Sequence, residues 1–475
     1  MIDYIKFNKL VFIDYVLFVI GGILSIFGIR DIAIITVLIG SILLLKIVKD
    51  KTGGYINFSM FFCFFHVLYG LSGVISKAWL NQFSRTYGTI FRYCPYILAY
   101  SLCTIFMLTG ILFASKKYKK DTVITTNSSY DKYFLFVSYV GFMLTTIFEL
   151  VNFFRVGGLP TLLAGKAIYQ AKVDELVGTL PTLYIFQVSL ASYCIHLYIM
   201  RMNNLKISLK QIIIPLLLVS PYLAMIIILS RRGPLLAIFL LLMTAYFLVK
   251  PLKKISVKLV GILFAVYMVL GLMFAVRNDI KLLFTDYSEF AKKVNINYVM
   301  RNLNPALTEF GCTYGNFNKF YITNDYKLLY GKSYIEGLVH IVPTYIYPGE
   351  KPKMITYEFR DKYFPVKAEI SSIASTGFSS ILETYWNFWY FGSIIYFIYG
   401  YLIILLENKL KFKNYFYLLE YFSLLTLTYS FHRSDFGHTS AEIIFLILEV
   451  IFIYAFYRII YSKNKNIDKI MKKIS

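Results

Sequence analysis

The chain has 475 residues, 58% of them hydrophobic and only 16% charged, and its mean hydropathy is +0.62. A soluble domain carries about 25% charged residues, so this composition excludes a soluble enzyme and predicts an all-α polytopic integral membrane protein. The formal charge of +23 is read as lysines fixing topology against an anionic leaflet, and no nucleic acid is expected as a partner. The five cysteines (Cys63, Cys94, Cys103, Cys194 and Cys312) are odd in number and form neither a disulfide framework nor a metal-type spacing.

Apolar runs follow one another near 10–28, 32–48, 56–76, 95–115, 131–153, 179–200, 211–229, 233–250, 256–276, 388–406, 415–431 and 440–460. At roughly 20 residues per crossing they predict about twelve transmembrane helices. No small-residue cleavage site follows the first run, which is expected to remain as a span. The division expected is 1–276 for helices 1–9, 277–386 for a large extracytoplasmic loop domain, and 387–475 for helices 10–12 with a cytoplasmic tail. The segment 277–386 is too long for an ordinary connector. Its stretch Tyr334–Val342 is also too apolar to stay solvated, so it is expected to fold.

Charge sets the orientation. Lys46, Lys49 and Lys51, Lys116 to Lys120, Lys206 and Lys210, Lys250 to Lys258, and Lys409 to Lys413 fall on alternate connectors. By the positive-inside rule those connectors and both termini are cytoplasmic, which leaves 277–386 outside. The arginines segregate the other way: Arg30, Arg85, Arg92, Arg155, Arg231, Arg232, Arg277, Arg301, Arg360 and Arg433 fall on the outer side. Topology rewards Lys and Arg alike, so it does not explain this bias. A planar guanidinium grips phosphate with two parallel hydrogen bonds and stays charged in a partly dry site. The bias therefore suggests a cavity for a phosphorylated ligand; snorkelling and packing are the plainer alternative.

Ser230-Arg231-Arg232-Gly233-Pro234 occupies a tight turn whose proline suits a helix start, where free N–H groups favour an anion. Phe431-His432-Arg433-Ser434-Asp435-Phe436 forms a second turn. There Asp435 either fixes Arg433 or merely orders the turn, and His432 is a candidate proton shuttle. Glu309 and Glu383 are candidate general bases on a sugar hydroxyl, with a structural arginine partner the alternative for each. His340, His66 and His196 are expected to be packing residues. No nucleotide loop and no metal-ligand cluster is present, so a donor that is already activated, such as a lipid diphosphate, is expected, with no cofactor and no metal.

Several segments carry a resemblance. They are Gly157-Gly158-Leu159-Pro160 followed by Tyr169, the turn at 230–234, Thr308-Glu309-Phe310-Gly311, Tyr330-Gly331-Lys332-Ser333-Tyr334, Val342-Pro343-Thr344-Tyr345-Ile346-Tyr347-Pro348, Glu383-Thr384-Tyr385-Trp386-Asn387-Phe388, and Arg433 with Asp435. Over roughly 150–440 the chain resembles the bacterial O-antigen and capsule repeat-unit polymerases (Wzy-type), departing from them at Thr344-Tyr345, where an arginine is expected. The resemblance implies a metal-independent membrane glycosyltransferase. Such an enzyme moves a growing glycan from undecaprenyl diphosphate onto the end sugar of another lipid-linked repeat unit, on the outer face of the cytoplasmic membrane. On this reading Arg231, Arg232, Arg433, Arg277 and Arg301 hold the diphosphate, and Glu309, Glu383, Asp435 or His432 takes the acceptor proton. The implied partners are lipid-linked repeat units, membrane lipids, a chain-length regulator and a flippase. An O-antigen ligase is the nearest alternative, separated by its acceptor lipid. A lipid-linked oligosaccharide flippase, the alternative of another class, would have short loops on both faces and midplane charges.

Overall fold

In a computed structural model the described residues fold entirely into helices and connecting turns. These residues are 2–79, 92–115, 128–163, 168–169, 172–173, 182–229, 231–250, 310–323, 327–342, 346–365, 377–410 and 414–474. Within 251–309 only 252, 256–257, 261–262, 264–266, 268–269, 272, 282, 286–295 and 298 are described.

The long helices are α1 (Ile2–Ile26), α2 (Arg30–Thr52), α3 (Phe58–Trp79), α4 (Tyr93–Ser115) and α5 (Ser128–Arg155). After the short α6 (Gly158–Leu163) come α7 (Thr182–Met202), α8 (Leu209–Ile228), α9 (Arg232–Val249) and α10 (Tyr287–Lys293). The later part holds α11 (Cys312–Thr323), α12 (Lys332–Val339), α13 (Ile355–Tyr363), α14 (Ser380–Phe388), α15 (Ile395–Leu410), α16 (Tyr415–Leu425) and α17 (Phe436–Ile474). Ten segments among the described residues are long and apolar enough to cross a membrane, with α14 and α15 counting as one, Ser380–Asn408. They coincide with ten of the twelve apolar runs. The run at 256–276 lies mostly outside the described residues. The run at 415–431 instead makes α16, whose 11 residues rise only about 16 Å against a hydrocarbon core of about 30 Å, followed by turns and the 3-10 segment Phe431–Arg433.

Where neighbouring helices are equally apolar, close packing needs small residues at the crossings. Gly110 on α4 and Gly400 on α15 meet in this way: a Cβ on either would lie 2.1 Å from a carbonyl oxygen of the other helix. Ser41 Oγ, 3.1 Å from Tyr100 OH, and Glu407, which accepts from Ser59 N at 2.9 Å and Ser59 Oγ at 2.7 Å, tie further helices together.

The described parts of 310–388 pack into one end of this bundle. Thr313 Oγ1 donates to the Tyr69 carbonyl of α3, and Tyr314 lies between Tyr93 and Tyr96 of α4. Phe320, Phe359, Tyr363 and Trp386 join α11, α13 and α14 in one aromatic cluster. Ser380 Oγ lies 2.7 Å from Tyr396 OH, and Tyr396 faces His66 halfway along α3, so α14 starts deep between the long helices. Between α14 and α15 the chain doubles back. Trp389 takes φ +55°, an uncommon and strained conformation for a bulky residue. Gly392 presses so closely on the Thr384 carbonyl that no side chain would fit there.

Candidate functional site

The start of α17 gathers the acidic groups. Asp435 precedes its first residue and accepts from His438 N at 2.7 Å and His438 Nδ1 at 2.9 Å through Oδ1, and from Thr356 N at 3.1 Å through Oδ2. This is an N-cap: a carboxylate satisfies donors that the first turn leaves unpaired and meets the positive end of the helix dipole. Glu383 of α14 reaches the same helix end. Its Oε2 accepts from Phe436 N at 2.8 Å and its Oε1 from Ser333 Oγ at 2.8 Å. Asn387 braces this arrangement: it donates to Ser333 Oγ at 2.7 Å and accepts from Gly331 N at 3.0 Å. Gly331 has φ +90° at the start of α12, a conformation that glycine adopts without a steric penalty. Burial pushes the Asp435 carboxyl up, but the hydrogen bonds and charge of His438 and the Thr356 N–H outweigh it and hold it below the usual carboxylate range. Asp435 and Glu383 are each 1% exposed.

His432, the other candidate from this turn, is buried against Phe62 and Phe431, with Nε2 3.0 Å from the Phe62 carbonyl oxygen. Burial lowers its imidazole to about 3, so it is neutral at physiological pH. Its hydrogen bond goes to α3, away from the two carboxylates.

The arginines divide. Arg231 donates to Glu149 Oε1 of α5 at 3.1 Å, and Glu149 also accepts from Thr182 Oγ1 at 3.0 Å. Arg232 is the first residue of α9, at its positive dipole end, and Arg433 ends the 3-10 turn before Asp435. Both lie within electrostatic reach of Tyr69 on α3. Arg277, Arg301 and Glu309 lie outside the described residues. His340, expected as a packing residue, borders a narrow cleft with Ser333, Gly337, Lys353, Met354 and Asp435, and burial lowers its imidazole. A larger cavity of about 510 Å³ is lined by Leu328, Tyr330, Phe388, Trp389, Tyr390 and Phe391, which bring neither a cation nor a carboxylate. No group of three or more His, Cys, Asp or Glu placed to hold a metal ion occurs among the described residues.

Two residues of the site escape the sequence reading, His438 and Glu442. The signal was there: Asp435, His438 and Glu442 are spaced by three and four, which puts them on one helical face, inside an otherwise apolar span. The apolar composition of 436–459 hid them.

A family model described as O-antigen polysaccharide polymerase Wzy matches residues 5–464. No curated protein matches the chain. No solved structure matches it either.

Proposed function

The chain belongs to the O-antigen polysaccharide polymerase Wzy family, and on that premise we propose a glycosyl transfer between two lipid-linked substrates. The donor is a growing glycan on a polyprenyl diphosphate and the acceptor is the end sugar of another lipid-linked repeat unit, met at the outer face of the cytoplasmic membrane. The observation that carries this reading is the pairing of cations with a cluster of two buried carboxylates and a partly exposed imidazole. Arg232 and Arg433 both lie within electrostatic reach of Tyr69, while Asp435 and Glu383 with His438 lie at the start of α17, next in sequence to Arg433.

Such an arrangement suits a dissociating diphosphate. Negative charge grows on the leaving oxygen as the sugar–oxygen bond breaks, and guanidinium groups fixed beforehand in a partly dry site stabilise it without reorganising. Arg232 at a helix N-terminus adds the dipole to its own charge. Arg231 supports the site indirectly, through Glu149. Arg277, Arg301 and Glu309 are kept as further contacts.

Purified protein supplied with synthetic lipid-linked repeat units is expected to build a ladder of products. Arg232→Ala should slow ladder formation by about 10²-fold or more, the usual effect of losing one preorganised charge-stabilising group, and should leave single-repeat glycolipid in cells. A ladder of normal length and rate from Arg232→Ala would overturn the assignment.

A further inference from the structure

Glu383 and Asp435 are poorly placed to touch a substrate. Each is 1% exposed, and each carboxylate oxygen accepts a hydrogen bond from Ser333, Phe436, His438 or Thr356. Moving either one away would leave a main-chain donor at the start of α17 without its acceptor. His438 differs: its side chain is 32% exposed, and it sits in the first turn of the same helix. Its Nδ1 faces Asp435 Oδ1 at 2.9 Å, while its Nε2 is 3.4 Å from Tyr357 OH, too long for a firm hydrogen bond. An ionised carboxylate only accepts, so the proton between Asp435 and His438 belongs to Nδ1, and in the neutral ring Nε2 carries the lone pair.

We propose that His438, oriented by Asp435, is the catalytic base that removes the proton from the acceptor sugar hydroxyl. The proposal rests on the glycosyl-transfer reading above. In the step, Nε2 takes the hydroxyl proton and the freed oxygen forms a bond to the donor anomeric carbon. The bond from that carbon to the diphosphate breaks, and its electron pair leaves with the polyprenyl diphosphate. The imidazolium then stays paired with Asp435 until it returns the proton to solvent. The weak Tyr357 contact marks where the hydroxyl enters, and the Tyr357 ring, edge-on to His438 with centroids 5.5 Å apart, forms one wall. Besides Asp435 and, one turn along its own helix, Glu442, the titratable groups around the imidazole are Tyr357 of α13 and His340 at the end of α12. Asp435 is a positioning residue here.

The test uses the full chain in detergent with synthetic lipid-linked repeats. His438→Ala and His438→Gln should each lose about 10²- to 10⁴-fold in ladder rate with melting temperature retained, and added imidazole should restore part of the rate to His438→Ala. Asp435→Asn should lower kcat with KM held. Variants at His438 that keep wild-type rates, or a folded His438→Ala that imidazole does not rescue, would overturn the proposal while leaving the polymerase reading intact. A wild-type protein that makes no ladder would sink both.

Discussion

A neutral imidazole sealed inside a bundle is a liability in acid, and His432 shows why. Its folded-state value, lowered by burial to about 3, lies below the ordinary histidine value of about 6.5. Above that ordinary value neither state binds the proton and there is no penalty. As pH falls from about 6.5 towards 3, the unfolded chain takes up a proton that the folded chain refuses, and stability drops by at most about 1.4 kcal/mol per unit. Burial of His340 acts in the same direction. The His432 share of the stability should therefore shrink between pH 7 and pH 5, and the melting temperature of His432→Asn in detergent should fall less, or rise more, over that range than that of the wild type. An unchanged slope in the variant would show that His432 is not buried neutral. Glu383 and Asp435, equally buried, each satisfy a main-chain donor at the start of α17.

At the level of helices, the crossing of α4 and α15 is the tightest test of the architecture. Gly400→Ala would place a methyl carbon 2.1 Å from the Met107 carbonyl oxygen, a backbone atom with little room to yield. Overpacking of this kind costs about 1–3 kcal/mol. Gly261→Ala, where nothing lies within 4 Å, is the matched control and should change stability by less than about 0.5 kcal/mol. Thermal melts of the two variants check the pair. Equal melting temperatures would mean that the helices cross elsewhere. Because α15 follows directly on the turn behind α14, strain at this crossing should also reach Glu383, and the ladder rate of Gly400→Ala is expected to fall with its stability.

For the whole molecule the open matter is orientation. The lysine pattern is expected to put the connector at Lys206 in the cytoplasm and, by alternation, the segment 277–386 outside. With native cysteines blocked, an impermeant maleimide should label Tyr330→Cys, which is 77% exposed, in intact cells. Lys206→Cys should react only after permeabilisation. Labelling of both from one side would reject the arrangement.

Sequence alone determined the membrane-spanning class, because crossing hydrocarbon demands long unbroken apolar runs and nothing in the fold can relax that demand. It also marked the two arginine-bearing turns and the 383–388 and 433–435 segments, since ionisable residues in so apolar a chain stand out. The tertiary structure decided what these residues do for one another. Phe436 and Glu383 hydrogen-bond across 53 positions, and Arg231 finds Glu149 across 82. No local pattern predicts such partners. Nor does periodicity help inside the bundle, where lipid-facing and core-facing surfaces are equally apolar and the helical repeat that betrays a buried face in water is lost. For that reason Asp435 could be read as a partner for Arg433, while folding gave it His438.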